Sequence, residues 1–256
     1  MARKNVKNQK HKSQVHNNST NKKSAMNKME PRDYVNAFNK LALRHYETKN
    51  FEKALEVLNK KCKHLDNELA TVRSPITPLK LPLLIDTLTM QMKTSLEKAE
   101  VLKKLGKINN AMGLYNMAGS KIQAFLEYNH ENLKKDMYKD IKDEITAILI
   151  IQRYECAKIH IKDRNFKLAE ETLSPCLTVF EKNPNVFKKM KKIDFLHKSF
   201  DMMELWSKIA VILPKCYYEN ETRAKKGHPD VKRNIGLSAN SAMVCVIVAQ
   251  AFARCD

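Results

Sequence analysis

A chain of 256 residues that is 43% apolar can bury a substantial core, as one elongated domain or two small ones. Its five glycines, none before Gly106, argue against strand-rich folds and nucleotide-binding loops, which both need glycine at special backbone angles. The net charge of +19 is unevenly spread: residues 1–29 hold eight basic residues and no acid, leaving the remainder only moderately basic.

Residues 1–30 are lysine, asparagine, glutamine, histidine and serine with almost no large apolar side chain. Such a segment cannot bury enough surface to offset its ordering entropy, so it is predicted to be a disordered basic tail. Arg3, Lys4, Lys7, Lys10, Lys12, Lys22 and Lys23 mark it as a nuclear or nucleolar address or an arm on RNA phosphates. The competing reading is a solubilising tail.

Pro31 opens the folded part. Val35, Phe38, Leu41, Ala42 and His45 recur at helical spacing and predict a first helix over about 33–48. A second follows from about Phe51 to Ala70. Pro75, Pro78 and Pro82 predict a stiff linker near 71–82. Longer helices are expected over 83–105, from the Gly106-Lys107 turn to about Asn129, over 132–162 and over 166–181. The run Ile145 to Ile151 is expected to be helix buried on most sides, and Pro175 to kink its helix. One or two helices carrying Trp206 are predicted over 186–218, a loop over 219–237, and an apolar C-terminal helix within 238–256. Gly113 and Gly119, followed by Ser120-Lys121, have the wrong spacing and order for a phosphate loop and read as close-packing sites.

One spacing occurs three times. Eleven residues separate Ala42 from Ala54, Ala99 from Ala111, and Ala157 from Ala169. Phe51, Ile108 and Phe166 stand three before the second alanine, and Leu58, Tyr115 and Leu173 four after it. A short polar turn precedes each apolar residue. Small residues on facing helices let backbones approach, and the larger ones fill the next layer. The copies begin 57 and 58 residues apart, as expected of one structural unit used three times.

This pattern over roughly 33–180 resembles the tetratricopeptide-repeat (TPR) family. Ala118 and Cys176 stand where that family places a further small residue, whereas Lys61 departs from it. The family's period is about 34 residues, so longer or additional helices are expected here. Residues 95–162 also resemble the three-helix MIT domain. The predicted fold is all-α, with antiparallel helical hairpins stacked as a TPR-like array over 31–218. Unrelated α-hairpins with alanine at their crossings are the alternative.

The resemblance implies a non-enzymatic scaffold or adaptor that holds a partner protein on the face of its first helices. By position that face would present Asn39, Tyr46, Lys103, Lys104, Tyr154, Lys158 and Lys162. Two aromatics among four lysines suit an acidic or amphipathic segment. The alternative is an RNA-binding ribonucleoprotein assembly factor using tail and body together. Cys156 and His160 share a helix face but lack further ligands, so no metal and no cofactor are expected. No catalytic set can be assembled, so no enzyme activity and no small-molecule substrate are expected. Six scattered cysteines without a Cys-x-x-Cys pair or signal peptide predict a reducing nuclear or cytoplasmic location, not secretion. Ala242 to Phe252, the longest apolar stretch, is too short to span a bilayer, so no membrane partner is expected.

Overall fold

A computed structural model describes residues 31–72, 80–129, 131–134, 138–182 and 192–227. The described residues form seven α-helices: α1 (Pro31–Glu47), α2 (Phe51–Val72), α3 (Leu81–Lys104), α4 (Ile108–Tyr128), α5 (Lys139–Lys162), α6 (Phe166–Lys182) and α7 (Met202–Gly227). A 3-10 turn, Asn132–Lys134, precedes α5. Between α6 and α7 lies an antiparallel hairpin of β1 (Lys192–Phe195) and β2 (Lys198–Asp201). Each helix packs on the next along the chain, and α3 also touches α5, as α5 touches α7. The first helices of the second and third pairs, α3 and α5, therefore share a layer. The predicted tail, the centre of the linker and everything after Gly227 lie outside the described residues.

The sequence repeat is a structural repeat down to individual hydrogen bonds. All six alanines of the spacing are buried at 0–1% exposure, as are Leu58 and Leu173, with Tyr115 at 2%. Each pair turns through a residue at positive φ: Lys49 at 57°, Gly106 at 74° and Arg164 at 56°. Across the turn the N–H groups of Asn50, Lys107 and Asn165 reach the carbonyls of His45, Leu102 and His160 at 2.8, 2.9 and 2.7 Å. One residue earlier, Lys49, Gly106 and Arg164 donate to Tyr46, Lys103 and Ile161 at 3.0, 3.1 and 2.9 Å. This is the Schellman closure, which satisfies carbonyls orphaned at a helix C-terminus. Asn50 and Asn165 then cap the following helix, their Oδ1 atoms accepting from the N–H groups of Lys53 and Leu168 at 3.3 Å.

Gly106 gives this turn a direct test. A Cβ built there would meet no atom within 4 Å, so only the positive φ opposes a side chain. Gly106→Ala is expected to lower stability by about 1 kcal/mol, read from the denaturation midpoint at unchanged slope. An unchanged midpoint would show that the turn relaxes to another geometry.

Several expectations are corrected. Pro82 lies in the first turn of α3, where its missing N–H costs nothing, rather than ending the linker. Pro175 lies inside α6, as expected. The helix expected over 132–162 begins only at Lys139. Its apolar run is buried as expected, from Ile145 at 0% to Ile151 at 2%, because α5 has α3, α4, α6, α7 and β1 around it.

The largest correction concerns 192–201, expected to be helical. Ile193 and Phe195 point inward while Lys192 and Asp194 face solvent, a period of two rather than 3.6. Ile193 pairs with Phe200, and the Phe195 and Phe200 rings meet edge to face at 5.6 Å. Asp201 then caps α7, its Oδ1 accepting from the Glu204 N–H at 3.0 Å. That helix runs on through 219–227, where a loop was expected.

The two glycines read as packing sites differ. Any Cβ on Gly119 would stand 2.8 Å from Gln152 Oε1, so α4 and α5 approach closely there. Gly113 has open space above it. No helix among the described residues is long and apolar enough to cross a membrane.

Candidate functional site

The C-terminal ends of α1, α3 and α5 meet at one place, and the turn of the β-hairpin is seated on it. Leu196 packs against the cluster of Ala42, Ala54, Leu58 and Val101, beside Phe38 and Tyr46. Its N–H donates to Glu97 Oε1 at 3.0 Å. Glu97 Oε2 accepts from Lys61 Nζ at 3.0 Å, with only 3% and 6% of the two side chains exposed. Lys61, the misfit in the repeat pattern, is thus half of a buried ion pair whose acid also holds the hairpin.

His197, the second turn residue, stands 5.9 Å from the Tyr46 ring and 6.3 Å from Phe195. Its Nδ1 is buried and makes no hydrogen bond among the described residues. Burial pushes the imidazole below its usual range, against the opposing pull of Glu100, Glu155 and Glu97. Histidine therefore enters this interior neutral. The Tyr46 hydroxyl is raised, first by burial and then by the charge of Glu100.

Two of the four lysines expected to greet a partner, Lys103 and Lys158, are already paired. Lys103 Nζ donates to Glu100 at 2.7 Å and to Glu155 at 2.8 Å. Burial opposes its charge, but the two carboxylates outweigh it and hold the ammonium above its ordinary range. Lys158 Nζ also reaches Glu155, at 3.1 Å, and lies 5.4 Å from the centre of the Tyr154 ring. Burial would raise Glu155, but Lys103 and Lys158 hold it below the usual carboxylate range. Lys103 further lies 5.8 Å from the Tyr115 ring.

Tyr154 is corrected outright. It is 7% exposed and belongs to the main core, not to a free surface. Phe200, Leu205, Glu204 and Lys208 gather around it, so the hairpin and α7 cover what would otherwise be an outward ring. Lys103 is half-buried, and Asn39 and Tyr46 are partly covered. Only Lys104, Lys158 and Lys162 face solvent. The structure brings Tyr46, Lys103, Tyr154 and Lys158 into one network, and it adds Lys61, Glu97, Glu100, Glu155 and His197. A sequence signal for the acids existed: Glu100–Lys103 and Glu155–Lys158 are i,i+3 pairs. Nothing local linked them to a turn some forty to a hundred residues away.

Cys156 and His160 have a packing explanation. The Cys156 sulfur accepts from Gln152 Nε2 at 3.2 Å and lies 3.8 Å from Asn116 Oδ1. Burial pushes its thiol up to about 12, the opposite of the shift a nucleophile or metal ligand needs. Burial likewise pushes the Cys176 thiol up to about 12. His160 is lowered by burial, and its carbonyl closes the turn at Asn165.

No protein-family model and no curated protein matches this chain. What the fold itself defines is an all-α array of consecutively packed helices, compatible with a helical repeat.

Proposed function

We propose that the chain is a TPR-like scaffold without catalytic activity, which holds a partner protein and acts in the nucleus or cytoplasm. The observation behind this reading is how the polar groups of the interior are spent. The ammonium and carboxylate groups of Lys61, Glu97, Glu100, Lys103 and Glu155 are bound to one another, and the thiols of Cys156 and Cys176 are raised. The Lys61–Glu97 and Lys103–Glu155 pairs fix one helix on another, leaving surface rather than reactive groups as what the array offers. A repeat scaffold whose face carries solvent-exposed lysines favours partners with acidic character.

Affinity purification of the full chain, with and without nuclease, tests the reading. Protein partners are expected to survive nuclease and to weaken only modestly with salt. An RNA-mediated association would vanish with nuclease and fall by orders of magnitude between low and physiological salt. That result would replace the scaffold with the ribonucleoprotein reading.

A further inference from the structure

The face of the first helices is where a repeat scaffold would be expected to hold a ligand, and here the chain's own turn is seated on it. The open ground lies on the opposite helices. A groove runs between α2 and α4, with Leu102 of α3, 8% exposed, at its base. Leu55 forms one wall, and Leu114 and Met117 the other. Gly113 contributes no side chain, and the space where its Cβ would project is empty. Asn59 and Asn110 stand on the rim with Lys98, which pairs with no carboxylate among the described residues. We infer that this groove docks an amphipathic helix of a partner protein, with its apolar stripe on Leu55, Leu102, Leu114 and Met117 and an acidic residue over Lys98.

The inference rests on the scaffold reading and specifies its partner. Three features select the occupant. The groove holds about 440 Å³ and is open along its length. A small molecule there would leave much of its surface in water, whereas small-molecule sites bury most of the ligand. A peptide added as a β-strand would need an unpaired strand edge, and all three lining elements are helices. A helix seats its ridge between α2 and α4, and Gly113 permits close backbone approach. Met117, 44% exposed, supplies an adaptable thioether wall. Charge selects the sign: Lys98 is the one charged side chain among the described residues lining the groove, so an acidic residue of the partner is the complement it meets.

The probe is a fluorescein-labelled, alanine-based helical peptide about four turns long, with leucines at i, i+4, i+7 and i+11 and glutamates beside that stripe. A matched peptide carries lysines instead. The full chain is expected to bind the glutamate peptide about tenfold more tightly than the lysine peptide in fluorescence anisotropy. Gly113→Trp, on an exposed helical position, is expected to weaken binding of the glutamate peptide about tenfold or more while circular dichroism stays unchanged. Lys98→Glu is expected to reverse the preference between the peptides. Failure of both peptides to bind, or binding indifferent to Gly113→Trp, overturns the inference while leaving the scaffold reading to its own nuclease test. A change in oligomeric state on Gly113→Trp would make a second copy the occupant and overturn it as well. So would binding seen only after removal of residues 238–256, since the occupant would then be this chain's own apolar segment.

Discussion

Ala111→Trp and Ala169→Trp are each expected to unfold the helical array or reduce it to a loosely packed state. Both alanines are at 0% exposure, each at the start of the second helix of its pair. Their N–H groups close the first turn of those helices onto Lys107 and Asn165 at 3.0 and 3.1 Å, so the backbone is pinned as well as crowded. Adding a few methylenes to such a place costs about 1–3 kcal/mol, and an indole is a far larger insertion. A domain of this size has only about 5–15 kcal/mol of stability to lose. Thermal melts followed by circular dichroism check this. Wild-type-like melting of both variants would mean that the repeated spacing is not where the helices touch.

Removing the carboxylate of Glu97 is the second large effect. Glu97→Ala leaves the Lys61 ammonium uncompensated at 3% side-chain exposure and strips the Leu196 N–H of its acceptor. Breaking a buried pair on one side costs about 3–5 kcal/mol, because the surviving charge is stranded away from water. The paired replacement Lys61→Met with Glu97→Leu is expected to recover most of that loss, since a well-packed apolar pair removes both desolvation costs. An exposed pair is the control: Lys60–Glu56 lies at 2.7 Å but with 63% of each side chain in solvent. Deleting it is expected to change stability by well under 1 kcal/mol. Urea denaturation of the wild type, Lys61→Met, Glu97→Leu and the paired replacement as a double-mutant cycle gives the coupling. If Glu97→Ala proves as mild as the surface control, the ion pair and the hairpin turn are not tied as the hydrogen bonds indicate.

The second prediction also marks where a linear reading stops. Lys61 was visible as a violation of the small-residue pattern, yet its meaning depended on Glu97, thirty-six residues on, and on a backbone N–H ninety-nine residues beyond that. The lysines of α3 and α5 were legible as exposed-face positions by helical phase alone. Helical phase gives direction relative to a neighbouring helix, not the identity of whatever arrives from elsewhere in the chain. Tyr154 has the phase of an outward residue and is covered because the β-hairpin and α7 fold over it.

Within the chain itself, local order was written in local residues. Alanines at fixed spacing, an apolar residue after each turn and polar residues at Lys49-Asn50, Gly106-Lys107 and Arg164-Asn165 determined three helix pairs, since helix phase, closure and capping act over only a few residues. Ile193 and Phe195 alternated in the sequence as they do in the strand, but four residues are too few to outweigh a helical neighbourhood. Only the tertiary structure decided which face stayed open. The turn Leu196–His197 covers part of the first-helix side, and the buried acids Glu100 and Glu155 neutralise Lys103 and Lys158, which read as free. Burial and charge pairing are sums over everything nearby in space, and residues close in space here, such as Tyr46 and His197, are separated by 151 positions along the chain.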